Sequence, residues 1–339
     1  MIPRPLSMQG DLVNFADLFG HIGQHTVDGL SKGAIYALIA LGYTLVYGVL
    51  RLINFAHSEV FMVGTFAVLG LWTAFGVQNN PPIGQAIIFL VLGLIVAAIA
   101  SGGTALAIER IAYRPLRRKN APPLIFLITA IGLSLVLVEI FGLVLPKLLG
   151  EAVPSIFGRA RIILGMPTII EQKTLFTVLN TSITNIQLIV FVSAVVMMAM
   201  LDWFINRTRY GRGVRAVAQN PETAALMGVN QERVIMLIFV LGGIMAGAAA
   251  LLWSMRFGFT QSSIGFVLGL KAFTAAVLGG IGNLRGALLG GLFLGIVEVY
   301  GATIFASNWE DVIAFVVLVI VLMFRPTGIL GESLGRARA

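Results

Sequence analysis

Nine runs of apolar residues, separated by short polar stretches, organise this chain between Gly29 and Phe324. They are Gly29 to Leu50, Val60 to Val77, Gly84 to Ile108, Pro123 to Leu145, Ile186 to Ile205, Val234 to Met255, Ile264 to Ile281, Gly286 to Ile304 and Val312 to Phe324. Most approach the roughly 20 residues a helix needs to cross a hydrocarbon core of about 30 Å. The pattern predicts an all-α, polytopic transmembrane bundle of eight or nine spans. Gly84 to Ile108 contains no charge. Ile264 to Ile281 carries Lys271 and ends in Gly279-Gly280-Ile281-Gly282. It reads either as a weak full span or as a re-entrant half span, a form tolerated only where protein or a water-filled cavity lines it.

Outside these runs the chain offers little. Leu12, Phe15, Leu18, Phe19 and Ile22 fall at helical spacing and predict an amphipathic segment over 1–28, lying at the membrane interface. Met1 to His25 lacks the apolar core and small-residue cleavage site of a signal peptide. Residues 29–331 then form one membrane domain, with 206–233 as a polar projecting loop and 332–339 as a tail.

Composition agrees. Hydrophobic residues make up 58% of the chain and charged residues 11%, with a mean hydropathy of +0.95. A soluble domain carries about a quarter charged residues, so the primary partner is the lipid bilayer. The net charge of +8 is no nucleic-acid footprint, because the arginines sit in short segments beside apolar runs and act as topology signals. Arg110, Arg114, Arg117, Arg118 and Lys119 follow the third run, and Arg207, Arg209, Arg212, Arg215 and Arg233 follow the fifth. Both clusters are expected in the cytoplasm, which puts the N-terminus outside and the C-terminus inside. Pro146 to Asn185 then falls outside, with room for a small helix or hairpin. The absence of cysteine excludes disulfides, iron-sulfur clusters and thiolate metal sites.

Catalytic chemistry finds no foothold. No Gly-Lys dipeptide occurs, so there is no Walker A phosphate loop. The three histidines, His21, His25 and His57, have no metal-binding spacing with carboxylates. The chain is expected to bind no cofactor. Its many glycines lie in apolar runs, where they allow helices to approach closely or expose backbone to a permeating substrate.

Polar groups inside the membrane are expensive and therefore candidates. Asn54-Phe55-Ala56-His57-Ser58-Glu59 makes a polar elbow between the first two runs. It reads either as a broken helix lining a central cavity or as a turn followed by a helix start favoured by the dipole. Glu139, Glu298 and Lys271 lie within spans, Lys271 as a partner for one of the acids or as a snorkelling side chain. Asn54, His57 and Glu59, facing Lys271, Gly279, Gly280 and Gly282, form a candidate translocation path. The polar interruption from Arg207 to Arg233 contains Pro221 followed by Glu222-Thr223-Ala224-Ala225-Leu226-Met227-Gly228, a composition that predicts a short helix. That helix is either part of a solvated loop or a lug for docking a soluble partner.

Four strings carry a resemblance. They are GAIYALIALGYTLVYGVLRLINFAHSEVFMVG from Gly33, AIERIAYRPLRR from Ala107, AVAQNPETAALMGVNQERVI from Ala216 and GLKAFTAAVLGGIGNLRGALLGGLFLG from Gly269. Together with RPTGILG from Arg325, they resemble the LivH-type permeases of branched-chain amino-acid ABC importers, over nearly the whole chain and in the same order. The resemblance implies an inner-membrane permease with two pseudo-symmetric halves. It also implies a second, LivM-like permease, two cytoplasmic ATPases that use ATP-Mg, and an external substrate-binding protein. A weak internal echo sets Met62 to Gly70 against Leu288 to Gly295. Glu222 to Gly228 would be the counterpart of the motif that docks into the ATPase, with Thr223 where that motif has alanine; Ser58 stands where the family form has glycine. The competing possibility is an ion-coupled secondary transporter or channel without ATPases, built on Glu139, Lys271 and Glu298.

Overall fold

The computed structural model describes residues 15–153, 156, 161–178 and 181–331. Leu12 of the proposed amphipathic segment and the tail 332–339 lie outside them. Helix α1 (Phe15–Gly20) is short, with Leu18 buried and Phe19 exposed, and the first long helix, α2 (Ile22–Leu50), starts seven residues before the predicted Gly29. Then follow α3 (His57–Ala74), α4 (Ile83–Arg118), α5 (Pro123–Leu149), α6 (Asn185–Arg207), α7 (Arg209–Gln219), α8 (Pro221–Leu226), α9 (Gln231–Phe257), α10 (Ile264–Gly279), α11 (Leu284–Phe305) and α12 (Glu310–Phe324). Among the described residues, seven helical runs are long and apolar enough to cross a membrane: α2, α4, α5, α6, α9, α11 and Ser307–Phe324.

Two of the nine expected runs are not among these seven. Helix α3 has 18 residues, as many as Ser307–Phe324, but opens on polar His57, Ser58 and Glu59; α10 has 16 residues, or about 24 Å of rise. The basic stretch after the third run is no loop. It continues α4 through a π turn at Glu109–Tyr113, and a second π turn at Ile140–Val144 carries α5 on to Leu149. The segment from Pro146 to Asn185 does contain a hairpin, with β2 (Thr174–Val178) antiparallel to β3 (Thr181–Thr184). A second two-stranded pair joins β1 (Leu164–Gly165) to β4 (Phe259–Thr260).

The hairpin marks one end of the bundle. There Ser182 N–H donates to Gln24 at 3.0 Å, and Asp28 accepts from Gln187 at 2.8 Å and from Arg256 at 2.6 Å. The opposite end carries α7, α8 and most of the arginines, and is called the basic face below. Helices α2 and α9 occupy the centre, antiparallel and apolar nearly all round, as a core helix must be.

Around them the elements form an inverted repeat. Each half is a long helix ended by a left-handed residue, then a short helix, then another long one: α2, Arg51 (φ 54°), α3, α4 and α9, Gly258 (φ 68°), α10, α11. Each centre packs on the last helix of the other half, α2 on α11 and α9 on α4. The correspondence therefore matches α3 with α10. The echo of Met62 to Gly70 in Leu288 to Gly295 matched α3 with α11, and the fold does not bear it out as a repeat register.

Backbone contact makes these pairings. A Cβ on Gly33 would lie 2.5 Å from the Gly291 carbonyl oxygen, and one on Gly247 would lie 2.6 Å from that of Ala97. Such approach is the usual basis of helix association in lipid, where side-chain burial gains little. Gly103, on α4, has nothing within 4 Å of an added Cβ. Gly33→Ala and Gly247→Ala should therefore each destabilise the protein by about 1–3 kcal/mol, the cost of overpacking. Gly103→Ala should be neutral or stabilising by up to about 1 kcal/mol, from helix propensity alone. Thermal retention of monodisperse protein in detergent measures all three, and equal melting would refute backbone contact as the basis of packing.

Candidate functional site

The projecting helices form because three caps divide one polar stretch. Thr208 accepts from the Gly211 N–H at 3.1 Å and starts α7; Asn220 accepts from Thr223 N–H at 3.0 Å and starts α8; Asn230 accepts from Arg233 N–H at 3.0 Å and starts α9. Gly211 is required, since a Cβ there would sit 2.1 Å from the Ile205 carbonyl oxygen. Helix α7 buries Gly211, Val214 and Val217 and turns Arg209 and Arg212 outward. Sequence reading missed this helix, although the three-residue spacing of its apolar positions was visible.

Helix α8 holds the predicted segment. Pro221 is its first residue, Glu222 lies in its first turn, and Gly228 follows with φ +83°. It is stapled to α9, as Gln231 donates to the Pro221 carbonyl and Val229 N–H to that of Ala224 at 3.0 Å. Ala224 is buried within this chain, whereas Ala225 faces out. Leu226 and Met227 are 87% and 80% exposed at the tip. Two large apolar side chains held out beyond a charged face form a rigid knob.

The elbow is equally well defined. Arg51 turns the chain back, and α3 starts with His57 packed on Gly42, where a Cβ would lie 2.0 Å from the ring. Gly42 is eight residues from the end of α2, so α3 begins about 12 Å inside that end. Asn54, His57, Ser58 and Glu59 are all buried. Glu59 Oε1 accepts from Ser58 at 3.3 Å and from Ser134 of α5 at 3.0 Å. Helix α10 closes the other side with glycines: a Cβ on Gly265 would meet Glu59 at 2.3 Å, and one on Gly269 would meet Ser58 at 2.1 Å. Asn54 Oδ1 and Glu59 Oε2 are buried without a hydrogen-bond partner among the described residues. Such atoms carry a cost of about 1–3 kcal/mol each.

The other path candidates sit elsewhere. Lys271 belongs to an ion network near the hairpin end, bonded to Glu298 at 2.6 Å and to Asp311 at 2.6 Å. Lys32 joins Glu298 at 3.0 Å and Glu310 at 2.7 Å, and the Tyr36 hydroxyl donates to Glu298 at 3.2 Å. Of the two acids weighed for Lys271, Glu298 is the partner; Glu139 pairs with Arg161. Arg161 lies outside the spans, and that carboxylate holds its guanidinium pKa above the ordinary arginine value. Gly279, Gly280 and Gly282 make a packed corner. The Ile329 and Leu330 N–H groups donate to the Leu278 and Gly279 carbonyls at 2.8 and 3.0 Å, and Asn283 donates to that of Leu330 at 3.0 Å. One further string, Gly29-Leu30-Ser31-Lys32-Gly33, has nucleophile-elbow spacing. It lies mid-helix in α2, with Gly29 and Gly33 packed on α11, and not at a strand-to-helix turn.

These features define a class: a polytopic helical membrane bundle with an inverted repeat, a buried polar elbow and a projecting helix pair. The family described as "Branched-chain amino acid transport system / permease component" matches residues 25–322, and this chain belongs to it. It is 40% identical over 318 residues to the high-affinity branched-chain amino acid transport system permease protein BraD of Pseudomonas aeruginosa, covering 92% of this chain and 96% of that one. It is 38% identical over 317 residues to the corresponding protein LivH of Escherichia coli strain K12, covering 94% and 98%. A probable branched-chain amino acid transport permease protein LivH of Methanocaldococcus jannaschii is 28% identical over 307 residues, covering 88% and 89%.

The ion network makes a prediction of its own. Lys271→Met leaves Asp311 without its ion-pair partner and removes one of the two lysines that compensate buried Glu298, which should cost about 3 kcal/mol. Arg118→Gln breaks an open pair with Glu232 and should cost about 0–1 kcal/mol. Melting of the two purified variants compares them, and similar losses would contradict a structural role for the buried network.

Proposed function

We propose that this chain is one of two permease subunits of an ATP-driven importer that passes branched-chain or related neutral amino acids across the cytoplasmic membrane. The observation that carries this reading is the rigid knob of Leu226 and Met227, held out on α8 and stapled to α9. A knob of that kind suits a groove in a soluble ATPase. ATP-Mg is then bound by two ATPase partners, and an external binding protein and a LivM-like permease complete the system. Under the positive-inside rule the basic face is cytoplasmic, the hairpin and the N-terminus are external, and the C-terminus is internal.

The mechanism follows from connectivity. Glu222 to Gly228 moves as one body with the start of α9, because Gln231 and Val229 tie the two together. Eleven residues on, Gly242 lies against Gly42 and the His57 ring, with an added Cβ at 3.4 and 3.5 Å. Displacement of α8 therefore reaches the elbow through about 16 Å of continuous helix. In this reading Asn54, His57 and Glu59 line the route beside the small residues of α10, and Lys271 with the Gly279 to Gly282 corner frames it. Apolar walls with a few polar atoms suit a zwitterion with an apolar side chain. The ion-coupled alternative is disfavoured because Glu139, Lys271 and Glu298 are already engaged in pairs.

Two classes of variant separate coupling from passage. Gly228→Val, strained by about 1–2 kcal/mol at a positive φ, and the double variant L226D/M227D should lose co-purifying ATPases and abolish uptake. Asn54→Leu should also depress uptake at least several-fold, yet keep the ATPases bound. Wild-type uptake by L226D/M227D would remove the coupling assignment, and wild-type uptake by Asn54→Leu would move the path. Orientation is tested separately with single cysteines, which the native chain lacks. Position 212 should react with an impermeant maleimide in inside-out vesicles only, and reaction in intact cells would invert the topology.

A further inference from the structure

Where α6 meets α11 at the basic face, an open cleft of about 480 Å³ separates the last turns of one helix from the first turn of the other. Its polarity changes in order along α6. Arg207 and Asn206 stand at the rim with Arg285 opposite; Trp203 and Asp202 come next; Met198 and Ala199 form the floor. Nine residues separate Arg207 from Met198, or about 13 Å along the helix. Trp203 is 63% exposed, one turn inside the end of a membrane-crossing helix, the level at which tryptophan marks the interface.

We propose that this cleft binds the head end of an anionic glycerophospholipid, the phosphate between Arg207 and Arg285 and the upper acyl chain over Met198 and Ala199. Charge supports the assignment. Arg285 lies in the first turn of α11, the end of the helix dipole where a cation is disfavoured and an anion welcome. Its counter-charge is Asp202 at 3.1 Å, which also accepts from Asn206 at 3.0 Å. Arg207 has no acidic partner among the described residues, so the cleft keeps one net positive charge. A free phosphate ion would use the rim alone. The ordered descent from arginine to tryptophan to methionine matches the phosphate, glycerol ester and chain of a lipid.

Occupancy would brace the seat of the projecting helices. Helix α6 ends at Arg207, Thr208 caps α7, and Arg215 of α7 donates back to the Ile205 carbonyl. A lipid that bridges α6 and α11 thereby fixes the base from which α7 and α8 extend. This inference is independent of the transported substrate.

Native mass spectrometry of the full-length chain in neutral detergent tests it, with phosphatidylglycerol and phosphatidylcholine of identical chains. Retention of phosphatidylglycerol is expected at about 5-fold lower lipid concentration, the effect of the one uncompensated basic side chain at a membrane surface. The double variant R207Q/R285Q should reduce that preference to near unity. Met198→Trp keeps every charge but fills the floor, and should weaken phosphatidylglycerol retention while melting stays unchanged. Equal retention of the two lipids, an unchanged preference in R207Q/R285Q, or full retention in Met198→Trp would overturn the proposal. So would displacement of phosphatidylglycerol by an equal concentration of glycerol phosphate, which would identify a free-phosphate site.

Discussion

The contact between the backbones of α2 and α9 at Gly42 and Gly242 is the constraint on which the rest of the structure depends. Lipid removes the driving force that assembles soluble cores, because apolar side chains gain little by leaving hydrocarbon tails. Helices in this setting hold together by close approach and by polar contacts. Glycine supplies the first at each principal pairing: Gly33 and Gly291 between α2 and α11, Gly243 and Gly247 between α9 and α4, Gly279 and Gly286 between α10 and α11. Side chains at these positions would push apart the helices that position the elbow.

Polar groups inside the bundle divide into two kinds. Toward the hairpin end, Lys32, Lys271, Glu298, Glu310 and Asp311 are ion-paired across four helices, although Glu298 Oε2 has no hydrogen-bond partner among the described residues. A closed network of that sort fixes register, since losing any member strands a buried charge. At the elbow the polar atoms are incompletely matched, with Asn54 Oδ1 and Glu59 Oε2 unpaired among the described residues. The first arrangement holds its carboxylates in ion pairs, whereas the elbow carboxylate of Glu59 has serine donors and no cationic partner among the described residues. Their separation along α10, with Gly265 and Gly269 on the elbow and Lys271 on the network, lets one short helix join both.

Helix α9 gives these parts a mechanical relation. It begins where α8 is stapled down and passes the Gly42 and His57 contact halfway along. It ends at Arg256, bound to Asp28 at the hairpin face. Helix α9 is buried over most of its length, so in the proposed coupling a movement at one end would be carried as rigid displacement. In that reading the short connection from α8 makes transmission possible; a floppy loop there would absorb it.

The sequence by itself determined the class, the approximate spans, the capped segment from Pro221 to Gly228 and the absence of a phosphate loop. Each of these is local: hydropathy, cap residues and motif spacing are written in contiguous stretches. The elbow at Asn54 to Glu59 was legible as a polar interruption, but its depth was not, because the start of α3 against Gly42 depends on how the chain turns back after Arg51. Likewise the basic stretch after Ile108 looked like a loop, since its charges hid a helix held by Arg117 on Glu109 and by Arg114 and Arg118 on Glu232. Only the tertiary structure decided that Lys271 pairs with Glu298 and that Ile329 and Leu330 seal the glycine corner. It also decided that α3 corresponds to α10, and that Ala224 turns inward while Leu226 and Met227 turn out. The physical reason is separation along the chain. A charge or a glycine states what it needs, but the partner that meets the need, as Glu310 does for Lys32 from 278 residues away, is chosen by packing.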